Sequence, residues 1–146
     1  MAACKQSNFY DYFKENMEAL GLPAPVSLFA TQTTASGVIS SILTAISRLS
    51  KNATVAELVG ATTGLEKLMV VGAASASFYV GAAIGSFAIA TGRYAACGVS
   101  ISDVMWEIHH NGIRIPSWLT LHLSRFPVII DKRMPMRASY AALARQ

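Results

Sequence analysis

The chain has 146 residues, 53% of them hydrophobic and only 14% charged, with 12 Lys and Arg against 8 Asp and Glu for a net charge of +4. Soluble domains average about 45–50% apolar and about 25% charged residues, so the balance leans toward membrane contact. The length fits one domain, 1–146, with a modest core, and excludes a large polytopic transporter.

The charge is unevenly placed. After Leu68–Gly92 come seven basic residues (Arg93, Arg114, Arg125, Lys132, Arg133, Arg137, Arg145) and only three acidic ones (Asp103, Glu107, Asp131). A basic segment following an apolar one can rest on anionic lipid. No cluster of Lys and Arg interleaves with aromatics, so nucleic acid is not an expected partner. Cys4 and Cys97 match no metal or redox spacing and read as two reduced thiols of a protein made in a cytoplasm. The first residues, Met-Ala-Ala-Cys-Lys, lack an apolar run, so export without a cleaved signal peptide is expected.

In chain order, Ser7 can cap a helix over about 8–20, with Phe9, Phe13, Met17 and Leu20 as its apolar stripe. Gly21 and Pro23 stop it. Residues 22–47 carry no charge, and Ser27 can cap a helix reaching about residue 50. On a wheel, Thr33, Ser36, Ser40, Thr44 and Ser47 form one stripe, opposite Val38, Ile42, Ile46 and Leu49. Hydroxyls can bond back to the i−4 carbonyl, which makes such a face tolerable in a bilayer and able to line a watery path. An exposed face of an ordinary soluble helix is the competing reading.

Thr54-Val-Ala-Glu57 is a capping box, and Thr63-Gly-Leu-Glu66 is a second. They predict a short helix over about 55–62 and a long one over about 64–92. The long one contains Leu68–Gly92, which is 25 residues without a charge and enough to cross a bilayer core. Ala74, Ser77, Gly81, Gly85, Ala88 and Gly92 fall on one narrow stripe, where another helix can approach closely. The opposite side is also small: Gly72, Ser75, Ala83, Ser86 and Ala90, with Tyr79. A helix small on two faces is built to be sandwiched. The expected fold is therefore all-α, a compact helical bundle around this central Gly/Ala-rich helix. Residues 22–92 form an apolar hairpin core (about 27–50 and 64–92), and 93–146 form a basic helical C-terminal part.

Ser100-Ile-Ser-Asp103 is a third capping box, opening a helix that Gly112 ends, with Val104, Met105 and Ile108 inward and Trp106 partly exposed. Residues 118–126 fit either a strand or a helix, and the lack of a partner strand favours helix. Pro127 ends it, 128–130 read as extended, and 138–145 as a last short helix.

No catalytic constellation emerges. His109, His110 and His122 have no ligand spacing for a metal, and neither Cys97 nor Ser117 is tied to a histidine by any sequence geometry. The glycine run lacks the lysine of a phosphate-binding loop, while Glu57, Glu66, Asp103 and Glu107 sit where helix starts explain them. No enzyme activity, cofactor or metal is expected.

With its Ala74–Ser77–Gly81–Gly85–Ala88–Gly92 stripe and the hairpin layout of residues 22–92, the chain resembles the small membrane-depolarising effectors of type VI secretion, and more distantly the pore-forming colicin domains. The resemblance covers about half the chain. It implies an antibacterial toxin that inserts its hairpin into the target cell's inner membrane and dissipates ion gradients. The small stripe would serve packing and homo-oligomerisation, and the hydroxyl stripe an ion path. It also implies an Hcp-type ring carrier and a membrane immunity protein. On this view Gly81→Leu or Gly85→Leu would abolish permeabilisation without affecting expression. A resident small membrane protein of holin or accessory-subunit kind, and a soluble all-helical interaction module, are the alternatives.

Overall fold

The computed structural model describes residues 9–49, 52–92, 101–131, 134 and 136–144. Among these the protein is all-α, with no strand beyond one isolated bridge between Thr54 and Ser75. The helices are α1 (Phe9–Ala19), α2 (Val26–Phe29), α3 (Gln32–Arg48), α4 (Val55–Ala61), α5 (Ala76–Gly92), α6 (Ile101–His110), α7 (Ser117–Arg125) and α8 (Ser139–Ala144). Two 3-10 segments, Glu66–Val71 and Pro127–Ile129, complete the set. The expected caps at Ser7 and Ser100 lie outside the described residues, as do both cysteines and the side chains of Asp103, Val104 and Glu107.

α1 buries Phe13, Met17 and Leu20 as its periodicity requires. It stops at Gly21, whose φ of +83° is left-handed. The Leu22 amide donates to the Met17 carbonyl at 3.0 Å and the Gly21 amide to Glu18 at 3.0 Å, which satisfies the last carbonyls of the helix. α8 seats on this turn: the Ala141 amide donates to the Leu20 carbonyl at 3.2 Å. A Cβ on Gly21 would come within 3.0 Å of both the Ala138 carbonyl oxygen and the Ala141 Cβ.

The helix expected over 27–50 is broken. Thr31 is extended (φ −130°, ψ 162°) and its hydroxyl accepts from the Thr34 amide at 3.1 Å, so α3 starts afresh there. A threonine hydroxyl able to satisfy a free amide of the next turn competes with continuation of the helix. The expected cap at Ser27 is not used; α2 begins after Pro25 without a side-chain cap.

The helix expected over 64–92 is also divided, and the cause is in the backbone. The Thr54 capping box forms as expected, with the Thr54 amide 2.8 Å from a Glu57 carboxylate oxygen and the Glu57 amide 3.3 Å from the Thr54 hydroxyl. Two further amides at the start of α4 find partners across the chain: Val55 donates to the Ala74 carbonyl at 2.8 Å and Ala56 to Gly72 at 3.0 Å. The Ala76 amide returns a bond to Ala53 at 2.8 Å. Carbonyls of 72 and 74 committed to α4 cannot continue a helix. A Cβ on Gly72 would lie 3.2 Å from the Met69 carbonyl oxygen and 3.4 Å from the Ala56 Cβ. The expected Thr63–Glu66 box does not form; Gly64 turns with φ +93° and its amide faces the Glu66 carboxylate at 3.4 Å.

α5 carries no ionisable side chain except Tyr79 and is apolar all round. Such a helix must be buried. From Ala76 to Ala90 every residue but Phe78 is buried, and Phe78 is partly so. α1, α3, α4, α6, α7 and α8, together with Pro127–Ile129, all touch it. None of the described helices is long and apolar enough to cross a membrane. Beyond α6, which ends at Gly112 (φ +76°), residues 117–125 are helical and 127–129 form a 3-10 turn instead of the expected extended run. No strand stands nearby to pair with them, and Pro127 at the first position suits a helical turn.

Candidate functional site: the covered small-residue face of α5

The small-residue stripe is only partly one face. Ala74 is fully buried but lies in the crossing before α5, not on it. Ser77, Gly81, Gly85 and Ala88 do line α5, all buried, and Gly92 is its last residue, with surroundings outside the described residues. That face is occupied by the C-terminal third. A Cβ on Gly81 would lie 2.7 Å from His122 Cδ2 and 3.3 Å from the Tyr140 hydroxyl. One on Gly85 would run into the Cγ2 atoms of Ile129 and Ile130. Leu at either glycine therefore has no room in this fold, so Gly81→Leu and Gly85→Leu would disturb the folded protein itself as well as any packing of α5 in a membrane.

The opposite face is equally filled. Ser86, fully buried, accepts from the Asn16 amide at 2.9 Å, and the same nitrogen donates to the Ile129 carbonyl at 2.9 Å. Arg137 donates to the Asn16 side-chain oxygen at 2.6 Å, to Ile129 at 3.1 Å and, through Nε, to the Val128 carbonyl at 2.8 Å. Burial pushes the pKa of Arg137 down, against the pull of Asp131 and Glu15. These three side chains tie α1, α5 and the chain before α8 together.

His122 fills the notch at Gly81. The Tyr140 hydroxyl donates to the Phe78 carbonyl at 2.7 Å, so its one proton is spent. The 2.8 Å contact between that hydroxyl and His122 Nε2 must then have the imidazole as donor, which assigns the Nε2–H tautomer. Phe78 meets the ring edge-on at 4.8 Å and Phe126 lies 4.8 Å away. Burial, reinforced by the Arg125 guanidinium, pushes the pKa of His122 down to about 4. Beside it opens a cleft of about 250 Å³ with Asn52, Ser77, Trp118 and Arg125 in its walls. No family model, curated protein or solved structure matches the chain.

The hydroxyl stripe is not brought to this face. Thr33, Ser40, Thr44 and Ser47 are exposed and Ser36 half-buried, while Ile39, Ile42 and Ile46 turn inward. Thr44 donates to the Ser40 carbonyl at 3.0 Å and Ser47 to Thr44 at 2.7 Å, the expected back-bonding, but on the solvent side. Ser40, Thr44 and Ser47 border a shallow groove of about 390 Å³ with Arg114 and Pro116. His109 and His110 are exposed, Trp106 (59% exposed) stacking on His110 at 4.5 Å. No group of three metal-ligating side chains occurs among the described residues. Ser117 is exposed at the start of α7.

Three residues central to this arrangement were not singled out by sequence: Asn16, Arg137 and Tyr140. Asn16 had a signal, since it falls with Phe13, Met17 and Leu20 on the inward face of α1. Arg137 had none, lying in a run of basic residues.

Proposed function

We propose that the chain is an antibacterial effector of the membrane-depolarising kind, a compact helical bundle around α5 that keeps an apolar segment covered until it meets the target's inner membrane. One observation carries the reading. A helix without a single charge is buried by the rest of a small chain, and its glycine face is closed by separate side chains of the C-terminal third rather than by one continuous partner helix. In a bilayer another copy of α5 would replace His122, Ile129 and Ile130 against Gly81 and Gly85. The partners on this reading are a lipid bilayer, a second copy of the chain, an Hcp-type ring carrier and a membrane immunity protein; the site of action is the target's inner membrane, reached by secretion. The test is a potential-sensitive dye in bacteria producing the chain in the periplasm or the cytoplasm, paired with potassium-loaded liposomes. Periplasmic depolarisation with leakage is expected. No depolarisation in either compartment and no leakage would refute it.

The exposure of Thr33, Ser40, Thr44 and Ser47 favours a second reading, an all-helical interaction module in which these hydroxyls are an ordinary solvent face. Leakage distinguishes the two.

A further inference from the structure

The cleft beside His122 combines a cation, hydroxyls and an uncovered apolar lip. Trp118, Leu121 and Arg125 follow one another at i, i+3 and i+7 along α7, which puts them on one face of that helix. All three border the cleft. Asn52, before α4, and Ser75 and Ser77, at the start of α5, border it from across the fold. The pKa of His122 is pushed down to about 4 by burial and then by Arg125. Arg125 is therefore the one charge among the described residues of the wall at neutral pH, and no carboxylate stands with it.

Size and shape narrow the occupant. The space is about 250 Å³, smaller than ordinary small-molecule pockets of about 300–1,000 Å³. It suits a phosphate-sized group rather than a nucleotide or coenzyme, and a guanidinium matches such a group through two parallel N–H donors. At the lip, Leu121 is 71% exposed and Trp118 is half-buried. A soluble anion in the cleft would leave that leucine in water. An amphiphile would cover it, and an indole sits well at a lipid–water interface.

We propose that this cleft is where the folded protein docks on a membrane: Arg125 takes one phospholipid phosphate, the polar wall of Asn52, Ser75 and Ser77 borders the rest of the headgroup, and Leu121 enters the acyl boundary beside Trp118. The docking rests on the membrane reading above for its purpose. It needs no opening of the bundle, because the cleft and its lip are accessible in the protein as folded. The net charge of +4 favours anionic lipid.

The experiment uses the full chain at neutral pH. Co-sedimentation measures binding to phosphatidylglycerol/phosphatidylcholine vesicles, and leakage of potassium is followed from the same vesicles at limiting lipid. Trp106→Phe leaves Trp118 as the sole tryptophan, and its emission should shift blue and be quenched by brominated phosphatidylglycerol. Leu121→Gln should weaken binding about ten-fold and Arg125→Gln about five-fold. Arg125→Lys keeps the charge but not the paired donors, and should still bind about two-fold more weakly than the natural chain. Arg114→Gln removes an equal charge beside the α3 groove and should change binding by less than about two-fold.

An unquenched Trp118, or equal losses from Arg114→Gln and Arg125→Gln, overturns the docking site. So does glycerol phosphate that shifts the NMR signals of Trp118 and Arg125 in a protein that binds no vesicles; the cleft is then a site for a soluble anion. Leakage as fast in Leu121→Gln and Arg125→Gln as in the natural chain sinks the docking site and spares the membrane reading. Vesicle binding through Trp118 without leakage or depolarisation does the reverse.

Discussion

Two glycine-to-alanine changes on different helices separate backbone propensity from the closeness of packing on α5. At Gly37, in α3, a Cβ would meet nothing within 4 Å. Alanine there should gain the usual difference in helix propensity, about 0.8–1 kcal/mol. At Gly85 the same gain is opposed by a Cβ driven into the Ile129 and Ile130 methyl groups. Both side chains are buried and cannot swing into solvent, so overpacking should cost about 1–3 kcal/mol. Gly85→Ala is thus neutral to destabilising by about 2 kcal/mol, and the gap between the two variants is about 1–3 kcal/mol. For a chain of this size about 1 kcal/mol moves Tm by about 2–4 °C. Thermal and urea unfolding followed by circular dichroism should therefore put Gly37→Ala above the natural protein and Gly85→Ala at or below it. Gly85→Ala stabilised as much as Gly37→Ala would refute the close seating of Ile129 and Ile130 on α5.

Arg137→Ala leaves the Asn16 oxygen and the half-buried Val128 carbonyl short of a donor, while Ile129 keeps the Asn16 amide, and should cost about 1–3 kcal/mol, read as a lower urea midpoint. Tyr140→Phe leaves the His122 N–H without its acceptor, while the Phe78 carbonyl keeps its place in the α5 ladder, and chemical denaturation should show a loss of about 1–3 kcal/mol. Thr54→Ala removes the cap of α4 at about 1 kcal/mol, visible as faster amide exchange in α4 at residues 55–57.

Much of the helical layout was legible because its signals are local. Gly21 and Gly112 end helices by left-handed backbone, and Thr54 and Glu57 cap one, as any reading of those residues requires. The apolar face of α1 follows from spacing alone. The break at Thr31 is a local cap, but the division of the helix expected over 64–92 comes from contacts distant in sequence. Ala74 reads as part of one helical stripe and Gly72 and Ser75 as part of the opposite one, yet all three lie where residues 53–56 cross the chain. A hydrogen-bonded crossing leaves no periodicity to detect. Gly81 and Gly85 are points of close approach, but a glycine does not name its neighbour, and His122, Ile129 and Ile130 are over 35 residues away. The hydroxyl stripe of α3 was identified correctly as a stripe; whether it faces water, protein or lipid is decided by what surrounds the helix.

The crossing at residues 72–75 also acts as a ruler. α5 as folded has 17 residues, about 25 Å at about 1.5 Å per residue, short of a hydrocarbon core of about 30 Å. The charge-free stretch from Leu68 to Gly92, wound as one helix, would measure about 37 Å. Winding it would cost little in backbone bonds: the Gly72 and Ala74 carbonyls would exchange the amides of Ala56 and Val55 for those of Ala76 and Phe78. The two amides of α4 and the Ala53 carbonyl would be handed to water. The same small residues that hold the segment too short to span thus make its lengthening a trade of equal hydrogen bonds.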